Sequence, residues 1–296
     1  MDVRDERQIE LGGHAITLTS LDRVIWPAAG FTKAQLLDYY VSAAPLLLPH
    51  IRGHGLTLAR YPQGIEAQGF PQTECRGRPE WMPTQEVRLA DGETRRHCVA
   101  NEAAALAWIA NQNTVELHAF LAPMNTPQRP DAVVLDLDSE TDLARRALRE
   151  VALELRGELD SLGLESFVKT SGAGGLHVYV PTGGSAGFDQ CKRFARALAA
   201  RLSARNPKRI TDDLRRRRRG SRVLIDWTRM SERATVVAPY SLRAMSWPSV
   251  SMPLHWDELA EREADELWFE PADIEQRLQV DAFARVTELR QRLPSL

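Results

Sequence analysis

The run Val133-Val134-Leu135-Asp136-Leu137-Asp138 places two carboxylates inside a stretch that otherwise reads as a buried strand. Side chains alternate faces along a strand, so Asp136 and Asp138 share one face while Leu135 and Leu137 take the other. Two carboxylates a few ångströms apart repel, and one proton affinity rises unless a cation intervenes. Such a pair suits either a solvated strand face or a divalent cation, which takes hard oxygen ligands from one or two carboxylates.

Two further stretches bear on that choice. In "KTSGAGGLHVYVP", residues 169–181, a Ser-Gly-rich turn precedes a strand that carries His177 and Tyr179 on one face. Glycines let backbone N–H groups approach an anion, Ser171 and Gly172 sit in that turn, and His177 can contact a phosphate oxygen or hold a water. In "RVLIDW" Asp226 closes another apolar strand, in the same manner as Asp138. Three strand-end aspartates beside a glycine turn form the donor set of a two-metal phosphoryl-transfer site with a triphosphate cradle.

Around these motifs, "FTKAQLLDYYVSAAPLLLPHI" reads as a helix capped by Thr32, and "NEAAALAWIANQN" as a short helix capped by Asn101. "SETDLARRALREVALELRGELDSLG" is a long amphipathic helix, with Ser139 as cap and Gly163 as stop, and "GFDQCKRFARALAARLSARNP" is another. Asp91-Gly92 between two alternating runs predicts a hairpin turn. Strands and helices mix rather than alternate, which predicts an α+β fold with a largely antiparallel sheet. One domain is expected over 1–296, with subdomains 1–125 and 126–250 and an acidic helical segment over 251–296.

Charge is uneven along the chain. Residues 205–222 hold nine Lys and Arg against two Asp, including the run Arg215 to Arg219, whereas 251–296 hold eleven acids against five Arg. The basic segment suits either a polyanion or solvent. Cys75, Cys98 and Cys191 lack metal-ligand spacing and read as free thiols of a reducing compartment, which predicts a cytoplasmic protein. No apolar run is long enough for a membrane span. Trp26, Trp81, Trp108 and Trp227 are expected in core or subdomain packing rather than as base-stacking platforms, with Trp227 pointing into the core.

The series "DLDS", "KTSGAGGLHVYVP", "VLIDW" and "VAPYSLRA" resembles the polymerase domain of bacterial ligase D, within the archaeo-eukaryotic primase superfamily. The likeness extends upstream to "SLDRVIWP", "LAWIANQNTVELH" and "RPDAVVLDLD" and covers about residues 18–259. It implies a primase-polymerase-like fold with an RRM-like catalytic subdomain flanked by helices. It also implies a nucleotidyltransferase that extends 3'-hydroxyls, often with ribonucleotides and with Mn²⁺ or Mg²⁺, at gaps or ends bearing a 5'-phosphate. Asp136, Asp138 and Asp226 match its metal ligands, and Ser171 and His177 its triphosphate contacts. Arg60, Arg243 and His118 match residues near the nucleotide, Arg23 a 5'-phosphate contact and Phe70 a stacking aromatic. Partners implied are DNA, which would place the protein at the nucleoid, nucleoside triphosphates, Ku and a fused or separate ligase; a monomer is the default and no membrane partner is expected.

The chain departs from that pattern where Ala59, Thr73 and Gly174 replace lysines and Pro71 replaces a second aromatic. Each lost charged phosphate contact weakens binding by about 1.5–3 kcal/mol. Arg229, Arg76, Arg78 or the Arg run, Arg216 included, are candidate replacements on the DNA or nucleotide. The leading expectation is a gap-filling polymerase. A catalytically weak relative that binds ends or gaps is the alternative, and a metal-dependent phosphoesterase a third.

Overall fold

The two hydrophobic patterns of the sequence, period 2 and period 3.6, each find their element in a computed structural model that describes residues 6–88 and 92–296. The chain divides into two compact units. One holds the described residues of Met1–Phe120 with Val237–Val250 and Glu270–Val280, and the other holds Leu121–Val236, Ser251–Phe269 and Asp281–Leu296.

The first unit is built on an antiparallel sheet. Gly55–Arg60 lies between Thr114–Phe120 on one side and Thr94–Val99 with Phe70–Gln72 on the other, and Thr84–Arg88 pairs with Thr94–Val99. The last two strands are the expected hairpin, although Asp91 of its turn lies outside the described residues. Thr32 caps the helix Lys33–Ser42 through a capping box with Gln35, as its sequence predicts. That helix stops at Ser42, and a second, Ala44–Ile51, follows with Pro45 in its first turn, so the expected single helix is two. The helix Ala103–Asn111 starts after Glu102 rather than at an Asn101 cap. Asn101 Oδ1 instead accepts a hydrogen bond from the Gly53 N–H at 2.8 Å.

Cys75 and Cys98 are a disulfide here, which corrects the expectation of three free thiols. The segment after Phe70–Gln72 runs beside Thr94–Val99, where Cys75 N–H donates to the Arg96 carbonyl at 2.7 Å and the two Cα atoms stand 4.9 Å apart. Spacing along the chain carries no trace of that proximity. The free-thiol argument for a reducing compartment therefore rests on Cys191 alone, which is buried.

The second unit holds a six-stranded sheet in the order Ile210–Thr211, Val223–Asp226, Ala132–Asp138, Leu176–Pro181, Phe167–Thr170, Pro253–Leu254. All neighbours are antiparallel except the first pair. The apolar stripe of the helix Asp142–Ser161, from Ala144 through Leu148, Val151 and Leu155 to Leu159, is buried, as is that of Phe188–Arg205. Thr141, not Ser139, caps the first of these helices, its Oγ1 accepting from Ala144 N–H at 3.1 Å. Ser139 donates instead to the Gly174 carbonyl at 3.2 Å and so ties the strand end to the glycine turn. Trp227 is half-buried rather than core: Lys192 and Arg196 lie over its ring at 5.8 and 5.3 Å from the centroid. The acidic C-terminal stretch folds into short pieces, Trp256–Glu261 and Ile274–Arg277 with 3-10 turns, and Phe283 buries its ring 5.4 Å from Tyr179. No described helix is long and apolar enough to cross a membrane.

Candidate active site

Antiparallel register decides which side chains of neighbouring strands meet, because directly opposed residues share a face. Asp136 at the centre of the sheet is opposed by His177 on one side and by Asp226 on the other, and Lys169 is opposed to His177 in turn. Asp138, two residues on, joins the same face. Carboxylate oxygens of Asp136, Asp138 and Asp226 all lie within 4.8 Å of one another. Asp136 and Asp226 are buried and Asp138 is half-buried. Thr228 fixes Asp226, donating to its Oδ1 from the backbone at 2.7 Å and from the hydroxyl at 2.6 Å.

The cluster carries more negative charge than its surroundings balance. Burial favours the neutral form of Asp136, but His177 Nε2 at 3.4 Å and Arg229 Nε at 3.0 Å outweigh that effect and hold its carboxyl below the usual range. Burial and then the charges of Asp136 and Asp226 push Asp138 up to about 6. An all-oxygen donor set with one carboxyl forced upward is the arrangement a hard divalent cation relieves, so these residues fit one. Arg229, whose Nε is also 3.7 Å from Asp226, now serves as that counter-charge. Replacing Arg229 with Ala should lower the melting temperature of the metal-free protein more than that of the Mn²⁺-saturated protein, and tighten Mn²⁺ binding several-fold. Calorimetric titration of Mn²⁺ checks this; unchanged or weaker binding makes Arg229 an aid to the metal rather than its rival.

The glycine turn abuts this cluster. Ser171 Oγ closes it by accepting from Gly175 N–H at 2.9 Å and Ala173 N–H at 3.2 Å, while Ser171 N–H donates to the Gly175 carbonyl at 2.8 Å. Gly172 and Gly174 take left-handed φ values of 69° and 98°. A Cβ on Gly175 would stand 2.7 Å from the Leu137 carbonyl oxygen and 3.5 Å from Asp138 Oδ1, so the turn lies directly on the strand end. Ser171 and His177 are thus both buried beside the carboxylates.

Of the other expected site residues, Arg216 sits at the surface with its Nε 3.0 Å from Glu140, and Arg219 shares that partner at 2.8 Å. The first unit carries His118, Arg243, Arg60, Phe70 and Arg23. There Glu116 organises two of them: its Oε2 is 2.7 Å from His118 Nε2 and its Oε1 3.2 Å from Arg243 Nε. Burial would raise the Glu116 carboxyl, yet His118 and Arg243 bring it down to about 2. Arg60 donates to the Gln112 carbonyl and to Gln72 Oε1, both at 2.7 Å, with its guanidinium 5.6 Å from the centroid of the exposed Phe70 ring. These two line a cavity of about 830 Å³ together with Thr73, Arg76, Arg95 and Arg96. Arg95 donates to Thr73 Oγ1 at 2.7 Å, at one of the positions where the sequence lacks its expected lysine. Arg23 donates to the Pro62 carbonyl. Sequence reasoning missed Glu116, Arg95 and Lys169; the only local sign was that Glu116 lies two residues before His118, on the same strand face.

A carboxylate triad and glycine turn on this α+β scaffold suit metal-assisted phosphoryl transfer, and likeness to known proteins makes the class the primase-polymerase type of DNA-directed nucleotidyltransferase. The pattern of the family described as LigD, primase-polymerase domain, matches residues 32–283, and the chain belongs to that family. It is 33% identical over 258 residues to the multifunctional non-homologous end joining protein LigD of Mycolicibacterium smegmatis, covering 86% of this chain and 34% of that protein. The LigD of Pseudomonas aeruginosa is 30% identical over 254 residues, with 86% and 30% covered. The chain thus spans about a third of the length of these relatives. The polymerase domain of Mycobacterium tuberculosis ligase D, solved in complex with DNA, superposes with a TM-score of 0.84 at 29% identity, covering 93% of this chain and 99% of that one.

Proposed function

We propose that the chain adds nucleotides, ribonucleotides by preference, to 3'-hydroxyl ends at DNA gaps or double-strand breaks that carry a 5'-phosphate, in non-homologous end joining. The observation that carries this reading is the register that opposes Asp136 to both His177 and Asp226, with Asp138 and the glycine turn alongside. Asp136, Asp138 and Asp226 would hold Mn²⁺ or Mg²⁺. When bound, such cations lower the proton affinity of the attacking hydroxyl and neutralise charge on the departing pyrophosphate. The chain's own part is placement. Thr228 fixes Asp226, the Ser171 turn presents its outer face to the triphosphate, and His177 orients Asp136. Nucleotide contact by His118, Arg60 and Arg243, 5'-phosphate contact by Arg23 and stacking by Phe70 rest on the resemblance alone, as do Ku and a ligase as partners.

The test is primer extension on duplexes with a one-nucleotide gap, with and without a 5'-phosphate, supplied with Mn²⁺ and either NTPs or dNTPs. Metal-dependent addition, faster with the 5'-phosphate and with NTPs, is the expected result. Salt-sensitive binding to the gap without any addition would instead favour a catalytically weak end-binding relative, the reading that Ala59, Thr73 and Gly174 in place of lysines suggests.

A further inference from the structure

The Ser171 to Gly175 turn contains no basic side chain, and Gly174 stands where the resemblance leads one to expect a lysine. A side chain at position 174 would meet two obstacles. Its φ of 98° strains any residue with a Cβ, and the space is taken. The Arg145 guanidinium lies over this glycine, with Nη2 3.0 Å and Cζ 3.4 Å from the place a Cβ would occupy. We propose that Arg145 binds the triphosphate of the incoming nucleotide; the inference rests on the nucleotidyl-transfer reading above and adds a residue to it.

Three features of Arg145 support the assignment. It is set by the same short connection that follows Asp138. Thr141 caps the helix Asp142–Ser161, and the Arg145 N–H donates to the Thr141 carbonyl at 2.9 Å, so the side chain leaves the first turn at a fixed point beside the strand end. Its charge is also unspent. Arg149, one turn on, reaches the Arg262 carbonyl at 2.7 Å and Glu263 at 3.2 Å, whereas the Arg145 guanidinium has no hydrogen-bond or ion-pair partner among the described residues. Finally, it completes a sequence of binding groups. Asp138 Oδ1 lies 3.5 Å from the Cβ position of Gly175, and Arg145 Nη2 lies 3.0 Å from that of the adjacent Gly174. A polyphosphate that shared cations with the carboxylates and ran along the turn would meet this guanidinium next. A planar five-donor fork suits phosphate oxygens.

The experiment uses the full chain with Mn²⁺ present and reads three quantities for wild type, Arg145→Ala and Arg145→Lys. These are the affinity for Mn²⁺-ATP by calorimetry, the affinity for the gapped duplex, and KM and kcat for ribonucleotide addition. Arg145→Ala should weaken Mn²⁺-ATP binding and raise KM by about ten- to a hundred-fold, the loss of one charged hydrogen-bonding group. The affinity for Mn²⁺ alone, for the gapped duplex and the melting temperature should stay at wild-type values, and Arg145→Lys should recover most of the loss. Unchanged Mn²⁺-ATP affinity in Arg145→Ala overturns the assignment, and a loss confined to duplex binding reassigns Arg145 to the nucleic acid and overturns it equally. Wild type that binds Mn²⁺-ATP yet adds no nucleotide removes the polymerase reading while leaving Arg145 to be judged by the binding ratio. Wild type that binds no Mn²⁺-ATP removes the triphosphate site itself.

Discussion

The Asp136→Ala/Asp138→Ala double variant should lose nucleotide addition by at least about a thousand-fold, because several kcal/mol of charge stabilisation depends on cations that these carboxylates would hold. The same cluster should cost the protein stability when no metal is bound. Asp138 has a folded-state pKa raised to about 6, so its neutral form is favoured in the folded chain. That contribution to stability is complete below the ordinary carboxylate range and is lost as pH rises to about 6. Asp136, held low by His177 and Arg229, behaves oppositely: its contribution is present above the ordinary range and fades as pH falls. At pH 7 the single variant Asp138→Asn should therefore stabilise the metal-free protein by about 1 kcal/mol, after allowance for solvent screening at this half-buried site. It should abolish addition all the same. Because the metal must displace the Asp138 proton, Mn²⁺ affinity should be about tenfold weaker at pH 5 than at pH 7. Denaturant melts and metal titrations at the two pH values measure these effects; an Asp138→Asn variant less stable than wild type would mean that the carboxylates were not in conflict.

Gly175→Ala should damage both stability and nucleotide addition. Its Cβ would stand 2.7 Å from the Leu137 carbonyl oxygen, a backbone atom of the strand that carries both aspartates, so either the turn or the strand end must move. Overpacking of this kind costs about 1–3 kcal/mol. The shift would also separate Ser171 from Asp138, and reactions that depend on bound geometry lose about a hundred-fold for displacements near 1 Å. Gly157→Ala is the matched control. Gly157 lies within the helix Asp142–Ser161 with open space where its Cβ would go, so the same methyl should stabilise by about 0.5–1 kcal/mol and leave addition unchanged. If Gly175→Ala keeps full activity, the turn does not set the distance between Ser171 and the carboxylates.

Much of this site was legible in the chain itself. Alternation along a strand is a local property, so Asp136 and Asp138 had to share a face, Leu135 and Leu137 had to take the other, and Asp226 at the end of a similar strand had to be a candidate third ligand. The apolar periodicity of 142–161 and 188–205 likewise determined two helices with one buried stripe each, and Thr32 with Gln35 determined a helix start. Caps that looked equally good, Ser139 and Asn101, failed because each side chain found a partner distant in sequence, the Gly174 carbonyl and the Gly53 N–H.

What the tertiary structure alone decided is register and approach from other elements. A slip of two residues would preserve every face and still move His177 and Asp226 away from Asp136, and nothing in a single strand specifies the partner's offset. Cys75 meets Cys98, Glu116 gathers His118 and Arg243, and Arg145 covers Gly174 because packing brings separate segments within a few ångströms. The sequence determines what each strand can present; the pairing of strands and the helix start beside them determine which charges meet.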